Sequence, residues 1–229
     1  MPGCTGYGRS LRTIRAATES EIHLCWLLSE RGRLPPHDPM LLASFDASDV
    51  EGNQRRKLLL RRIRAPILDR LPVDVECTEV LVGEEDLEDL FIILVSDWYA
   101  DTGGTFRLLD TVENLQPGRI CDVGQGPQPL DHFDKVERMV AYLASDDATQ
   151  HEEYLVLIAT TGEGPFTIID GTHRATALLR MHRLEPNLPW RAFLMQSPSM
   201  SGCLWHIGFD QAADMLAELR VLGNQGKLG

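Results

Sequence analysis

The chain has 229 residues, a net charge of -12 at neutral pH, 43% hydrophobic residues and 24% charged residues. This composition is typical of a globular protein and argues against general disorder. A surface this acidic repels phosphodiester backbones, so broad binding to DNA or RNA is not expected. No apolar run approaches the ~20 residues of a membrane helix, and the N-terminus lacks the apolar stretch of a signal peptide. We therefore expect no membrane association and a cytoplasmic location.

The chain contains five cysteines, an odd number, and no C-x-x-C pair. This pattern argues against a disulfide framework and against a cysteine-rich zinc site. Cys203 and His206 have the spacing of two metal ligands but lack a second pair to complete a site.

The first 70 residues are predicted to be mostly helical. A helix is expected over Glu19–Ser29, with Thr18 and Ser20 as candidate caps, and a second one over about Asp49–Arg64, ended by Pro66. We predict a largely helical N-terminal segment over residues 1–75 and an α/β domain over residues 76–229.

Charge is unevenly distributed along the chain. Residues 55–70 are basic, whereas residues 74–101 contain ten acidic residues and neither Lys nor Arg. The simplest interpretation is two solvated faces that pack near one another. A phosphate or nucleic-acid patch is the alternative for the basic run, but the apolar residues within it favour one buried side of a helix.

The pattern changes from about residue 76. Short apolar or alternating runs predict strands over 91–95 and 105–112, and the Gly and Pro residues of 118–129 predict a loop. Asp131 is a candidate cap for the next helix. Beyond it the pattern predicts helix, strand, strand, helix and strand, over residues 132–143, 154–161, 165–170, 172–183 and 189–195. The expected fold class is α/β (α+β) with a small mixed sheet.

The junction at residues 170–174 has the sequence Asp-Gly-Thr-His-Arg and lies between a predicted strand and a predicted helix. Backbone N–H groups at a helix N-terminus favour anions. His173 titrates near neutral pH, and the guanidinium of Arg174 suits a phosphate. Asp170 is a candidate ligand for a divalent cation and a candidate base. The alternative is an ordinary Asp-Gly turn with a Thr cap and two solvated side chains.

This segment resembles the ParB/sulfiredoxin-like superfamily, and within it the branch of sulfiredoxins and free-serine kinases. Residues 171–177 have the sequence Gly-Thr-His-Arg-Ala-Thr-Ala and satisfy the Gly-x-x-Arg-x-x-Ala pattern of ParB-type proteins. Upstream, Pro129-Leu130 followed by Lys135-Val136 is similar to a sulfiredoxin segment that contributes to nucleotide binding. The resemblance covers about residues 117–196 and implies a ParB/sulfiredoxin-like sheet in the C-terminal half.

The chain also departs from this superfamily. Thr172 stands where sulfiredoxins have their nucleophilic cysteine, which rules out sulfinic-acid reduction through a thiol at that position. No helix-turn-helix region is visible after the motif, which argues against a role in chromosome partition. Residues 1–116 have no recognised counterpart, and their expected role is a substrate-binding half, a lid or the surface of a homodimer.

The resemblance implies a nucleotide-dependent enzyme, an ATP-type phosphotransferase that acts on a small molecule. Gly171, Thr172, His173, Arg174 and Lys135 are the expected residues for binding ATP or another nucleoside triphosphate. Mg²⁺ is expected to bridge the phosphates. Phosphoryl transfer depends mainly on the positioning of the reacting groups and on stabilisation of their charge, and a bridging cation serves both.

The acidic residues near the turn are the candidates for the chemical step. Asp170 is the expected metal ligand, Asp170 or Asp131 would orient the nucleophile, and His173 would contact a phosphate or act as an acid–base group. Two alternatives remain open. One is a nucleotide-binding or sensing protein of ParB-like fold without catalysis, and the other is a nucleotide-independent enzyme that binds an anionic substrate at the same turn.

Overall fold

A computed structural model of the chain describes residues 10–30, 34–43, 45–118, 120–121, 130–145, 154–182, 190–208 and 212–225. Within these residues the fold is of the mixed α+β type, as the sequence predicted, and its centre is one open six-stranded sheet. The predicted loop over 118–129 lies mostly outside the described residues.

The helices follow the sequence signals closely in most places. The described residues form seven: α1 (Glu19–Ser29), α2 (Met40–Ala43), α3 (Val50–Leu68), α4 (Thr111–Asn114), α5 (His132–Leu143), α6 (Thr172–His182) and α7 (Ala212–Asn224). Thr18 and Glu21 form a reciprocal capping box at the start of α1. The second helix breaks at Arg64, where its end was predicted, but Pro66 does not end it, because α3 continues for one further turn after this kink. Proline lacks the N–H that an unbroken helix needs, which explains the kink.

The strands of the main sheet are joined in the order β1-β2-β8-β6-β7-β3. The pairs β3–β7 and β6–β8 are parallel and the other pairs are antiparallel. A second, two-stranded sheet pairs β4 with β5. The bounds are β1 (Arg12–Ala16), β2 (Glu76–Val82), β3 (Leu90–Ile92), β4 (Ile120–Cys121), β5 (Leu130–Asp131), β6 (Leu155–Ala159), β7 (Phe166–Asp170) and β8 (Trp190–Gln196).

The N-terminal segment contributes an edge strand to this sheet. β1 pairs antiparallel with β2, with Arg12 opposite Leu81 and Ala16 opposite Thr78. Its residues are exposed, so no buried apolar pattern marked it in the sequence. Residues on both sides of the boundary predicted after residue 75 therefore take part in one sheet.

The strand predicted over residues 105–112 is wrong. Phe106 has a φ of 58° and a fully buried side chain, and a 3-10 turn and α4 follow it. The Thr105 hydroxyl lies within hydrogen-bond distance of two acceptors, the Thr102 carbonyl at 2.8 Å and the Asp110 carboxylate at 2.5 Å. Such local side-chain bonds compete with a strand ladder and favour a turn.

The interpretation of the charged runs as solvated faces is only partly right. On α3, Lys57 pairs with Glu19 at 2.9 Å and Arg61 pairs with Asp69 at 2.7 Å, so these basic residues are engaged by acidic partners. In the acidic run, however, three carboxylates are buried: those of Glu79, Asp86 and Asp101. A buried carboxylate needs a specific partner, so these three have structural or chemical roles that composition could not show.

The sheet forms the centre of a continuous apolar core. β6 and β7 are buried along their whole length, and Trp26 and Leu27 of α1 pack into the same cluster. None of the helices in the described part of the chain combines the length and hydropathy needed to span a membrane.

Candidate functional site

The turn between β7 and α6 has the geometry that the sequence predicted. β7 ends at Asp170, Gly171 takes a φ of +88°, and α6 begins at Thr172. A Cβ atom at Gly171 would lie 2.8 Å from Leu155 Cδ2 on the neighbouring strand. Glycine is therefore needed both for the left-handed backbone and for the close approach to β6.

The N-termini of α5 and α6 lie side by side at this turn. The rings of His132 and His173, each in the first turn of its helix, have centroids 5.0 Å apart. Further along, Glu137 of α5 forms an ion pair with Arg180 of α6. In both contacts the residue on α6 lies nearly the same number of positions after its partner on α5. Contacts therefore advance in the same direction along both helices, which run parallel. Their positive dipole ends meet in one place, which favours an anion there.

His132 belongs to a buried pair with Asp101. Its Nδ1 lies 2.8 Å from Asp101 Oδ2, and both side chains are almost completely buried. Trp98 stacks on the imidazole with centroids 4.0 Å apart and planes at 21°, and the indole also contacts His173 at 5.0 Å. We call these four residues, Trp98, Asp101, His132 and His173, the histidine cluster.

A tight turn holds Trp98 and Asp101 in place. The Thr102 hydroxyl donates to the Trp98 carbonyl at 2.8 Å, and the Thr102 side chain is fully buried. Gly103 and Gly104 follow with φ values of +60° and +77°, a left-handed backbone that glycine adopts readily. A Cβ on Gly104 would lie 2.9 Å from the Tyr99 ring, so the turn is closely packed against its own side chains.

Asp170 lies in a different group of contacts. Its carboxylate is buried and accepts a hydrogen bond at 2.9 Å from the Ser29 hydroxyl at the end of α1. Burial raises the pKa of Asp170, while the positive charges of Arg174 and Arg64 act in the opposite direction. Arg64 also forms an ion pair with Glu30, and burial lowers the pKa of Arg64. We call Ser29, Glu30, Arg64, Asp170 and Arg174 the aspartate cluster.

Arg174, which the sequence assigned to phosphate binding, is 5% exposed. Its Nη1 donates to the Tyr154 carbonyl, and its charge faces Asp170. The guanidinium therefore ties the start of α6 to the residue that precedes β6. Part of its donor capacity is used within the protein.

The other predicted site residues lie on the two helices. Asp131 caps α5, because its carboxylate accepts from the Asp134 N–H at 3.1 Å. Lys135 is half-buried in the first turn of α5, close to the joined helix ends. Thr172 is buried, and its carbonyl accepts from the Thr176 hydroxyl at 3.0 Å.

The described residues fit an anion better than a metal held by the protein. They contain no group of three His, Cys, Asp or Glu side chains placed to hold a metal ion. Asp170, the predicted magnesium ligand, already accepts from Ser29 and faces two guanidinium groups, a setting that disfavours a bound cation. The positive ends of the two helix dipoles, by contrast, favour a negative charge.

Sequence reasoning missed Asp101 and underrated Trp98 and His132. Asp101 is the last of ten acidic residues in a run that seemed to require only solvation. His132 follows a capping aspartate at the start of a helix, and the aromatic pair at 98–99 is more often used for core packing. No local spacing links residues 31 positions apart, so only the tertiary structure joins Asp101 to His132.

Comparisons of the chain with models of protein families, with curated proteins and with solved structures find no significant match. The resemblance to the ParB/sulfiredoxin-like superfamily therefore stays a prediction that rests on the motifs of residues 129–136 and 171–177.

Proposed function

We propose that the chain is a nucleotide-dependent enzyme, an ATP-type phosphotransferase acting on a small molecule, and that it binds the nucleotide phosphates at the joined N-termini of α5 and α6. The observation that carries the proposal is the 5.0 Å approach of His132 and His173, which brings two helix N-termini together. One helix end attracts an anion weakly, and two that converge on one point reinforce each other.

The side chains around the joined helix ends suit phosphates. Thr172 and His173 belong to the first turn of α6, and Lys135 belongs to the first turn of α5. Gly171 allows the backbone of α6 to begin directly at the end of β7. In this arrangement Arg174 contributes its charge from behind the turn, where it also balances Asp170.

Magnesium is part of the proposal only as an ion that the nucleotide carries. Mg²⁺ keeps several water ligands and is often held by substrate phosphates with one or two carboxylates. The described residues do not form a magnesium cage, so we derive no step from a metal held by the protein.

The test is thermal unfolding of the purified protein with ATP, ADP, CTP and GTP, each with and without Mg²⁺. A ligand that binds only the folded state stabilises it by about 2.7 kcal/mol at one hundred times its dissociation constant. We expect one nucleotide to raise the unfolding midpoint, and the rise to be lost in Lys135→Met and His173→Asn. Arg138→Met is the matched control, because it removes an exposed positive charge from the same helix further from its N-terminus.

The outcomes separate the three hypotheses. Binding followed by release of ADP in ³¹P spectra supports a phosphotransferase. Binding of a nucleotide that is never consumed, with any candidate acceptor, supports a sensing protein instead. The absence of any nucleotide effect at millimolar concentration contradicts the proposal.

A nucleotide-independent enzyme for an anionic substrate is the second candidate, and the buried Asp101–His132 pair is the observation that favours it. Such a pair serves acid–base chemistry on many substrates and requires no nucleotide. Stabilisation by inorganic phosphate or simple carboxylates that equals the effect of ATP, and persists in a chelator, would favour this candidate.

A further inference from the structure

The hydrogen bond between Asp101 and His132 determines which ring nitrogen of His132 carries a proton. A carboxylate can only accept a hydrogen bond, so the Nδ1 atom, 2.8 Å from Asp101 Oδ2, is the donor and is protonated. In a neutral imidazole the other nitrogen then holds a lone pair. The structure therefore leaves Nε2 of His132 as the nitrogen able to take a proton.

The ring is also fixed in orientation. Trp98 stacks on it nearly face to face, and His173 meets it edge-on at 5.0 Å. With only 2% of His132 exposed, rotation of the ring would break the Asp101 bond and disturb its packing against Trp98 and His173. A base that is held in one orientation does not have to be ordered during the reaction.

The two carboxylates that the sequence offered for this role are engaged elsewhere. Asp131 accepts the cap hydrogen bond from the Asp134 N–H. Asp170 is buried with Ser29 and faces two arginines. His132 occupies the first turn of α5, at the point where the phosphates are proposed to bind.

We propose that His132 Nε2 is the base that takes the proton from the attacking hydroxyl group, and that Asp101 positions it. The inference rests on the proposed function. As the acceptor oxygen forms its bond to the γ-phosphorus, the bond from that phosphorus to the bridging oxygen breaks and ADP leaves with the electron pair. The acceptor proton passes to Nε2, and His132⁺ then returns it to solvent. With water as acceptor the products are ADP and inorganic phosphate.

The first experiment needs no nucleotide. Ring ¹⁵N spectra of the histidine-labelled protein are expected to show His132 protonated at Nδ1 and bare at Nε2 in its neutral form. In Asp101→Leu the carboxylate acceptor is gone, and we expect the proton to be shared between the two nitrogens. A wild-type ring protonated at Nε2 would overturn the assignment of the base. An unchanged ring in Asp101→Leu would remove Asp101 as the positioning residue.

The second experiment measures hydrolysis of MgATP without an added acceptor. We expect His132→Gly to hydrolyse ATP about 10²- to 10⁴-fold more slowly, the usual contribution of a general base. Free imidazole should restore part of the rate in this variant and have no effect on His37→Gly. His132→Gln serves if the glycine variant does not fold. Rescue by imidazole separates a chemical role from a structural one, since a packing defect would not respond to it.

The measurements of MgATP binding and hydrolysis distinguish an error in the base assignment from an error in the proposed function. If MgATP binds and His132→Gln hydrolyses it within threefold of wild type, the base assignment is wrong and the phosphate site stands. Binding of MgATP that the wild-type protein never consumes, with or without an acceptor, contradicts the phosphotransferase itself, and the base assignment fails with it. If MgATP does not bind at all, the proposed function fails, and the ring spectra alone decide whether Asp101 positions His132.

Discussion

Two buried polar clusters meet at the same five-residue turn, and they differ in how their charges are balanced. The aspartate cluster contains two acids and two arginines, joined through Ser29, Tyr154 and the ends of α1 and α3. The histidine cluster contains one acid and two imidazoles, stacked with one indole. The first has the features of a structural network of opposite charges. The second brings one carboxylate and two imidazoles together, and clusters of ionisable side chains are the places where chemistry is expected.

The comparison shows that residues close together in sequence can belong to different clusters. Asp170 and His173 are three positions apart, yet Asp170 contacts Ser29 whereas His173 contacts Trp98 and His132. Gly171 makes this division possible, because its left-handed backbone turns the chain between the end of β7 and the start of α6.

The largest expected effect is on the stability of the aspartate cluster. Arg174→Met leaves Asp170 buried with one positive neighbour fewer and removes the hydrogen bond to Tyr154. Breaking a buried charge pair costs about 3–5 kcal/mol. We expect urea unfolding to show a loss of this size. Arg55→Met, which breaks the exposed pair with Asp38, is the control and should change stability by less than about 1 kcal/mol. A similarly small loss for Arg174→Met would show that this arginine is not structural.

The next effect concerns the turn that separates the clusters. Gly171→Ala places a Cβ 2.8 Å from Leu155 Cδ2 and 3.0 Å from Arg174 Nη1, at a φ of +88°. The left-handed backbone alone costs about 1–2 kcal/mol for a residue with a side chain. We expect the free energy of unfolding to fall by about 2 kcal/mol or more, measured by urea titration. Gly202→Ala, with no atom near its added Cβ, is the control. Equal stability of the two variants would contradict this account of the turn.

The third prediction concerns the histidine cluster, where we expect a larger effect on nucleotide binding than on stability. His173→Asn removes an imidazole that contacts the rings of Trp98 and His132. We expect a stability loss of about 1 kcal/mol, the scale of one aromatic contact. Binding of the nucleotide, measured calorimetrically, should weaken much more than this loss of stability implies. A large loss of stability with unchanged binding would remove the distinction between the two clusters.

The smallest effect lies on the outer, exposed side of the α1–α3 pair. His23, whose Nε2 lies 3.3 Å from Glu19 Oε1, and the nearby Lys57 lower the pKa of Glu19 to about 2, against a usual value of 4.5, although partial burial opposes them. A lowered pKa in the folded state stabilises the protein above pH 4.5, and this contribution is lost as the pH falls through about 2. The Glu19 side chain is 45% exposed, so solvent screening keeps the contribution near 0.5 kcal/mol.

The measurement for Glu19 is the stability of wild type minus that of Glu19→Gln, followed by urea unfolding from pH 6 to pH 2. We expect this difference to shrink as the pH falls. Glu88→Gln, at an exposed acid on a 3-10 turn, is the matched control for the loss of a surface carboxylate. A Glu19→Gln difference that stays constant with pH would contradict the lowered pKa.

Much of the fold followed from local patterns. The bounds of α1 agree with the sequence because Thr18 and Glu21 form the capping box that the sequence offers. β6, β7 and α6 also fall where the apolar runs and Gly171 placed them. β1 was not predicted because its residues are exposed. The segment predicted as a strand over 105–112 instead forms a turn, which a hydrogen bond of the Thr105 side chain stabilises. Local polarity cannot distinguish an edge strand from a loop, nor a strand from a turn whose side chains bond to its own backbone.

The candidate site divides in the same way. The sequence by itself determined a strand, a left-handed glycine and a helix start carrying His173 and Arg174, because these depend on neighbours along the chain. Only the tertiary structure decided that the charge of Arg174 balances that of Asp170 and that His132 is hydrogen-bonded to Asp101. These contacts depend on the order of the strands in the sheet and on the packing of α5 against α6. Burial determines which charged side chains must find a partner, and burial is a property of the assembled fold rather than of any segment.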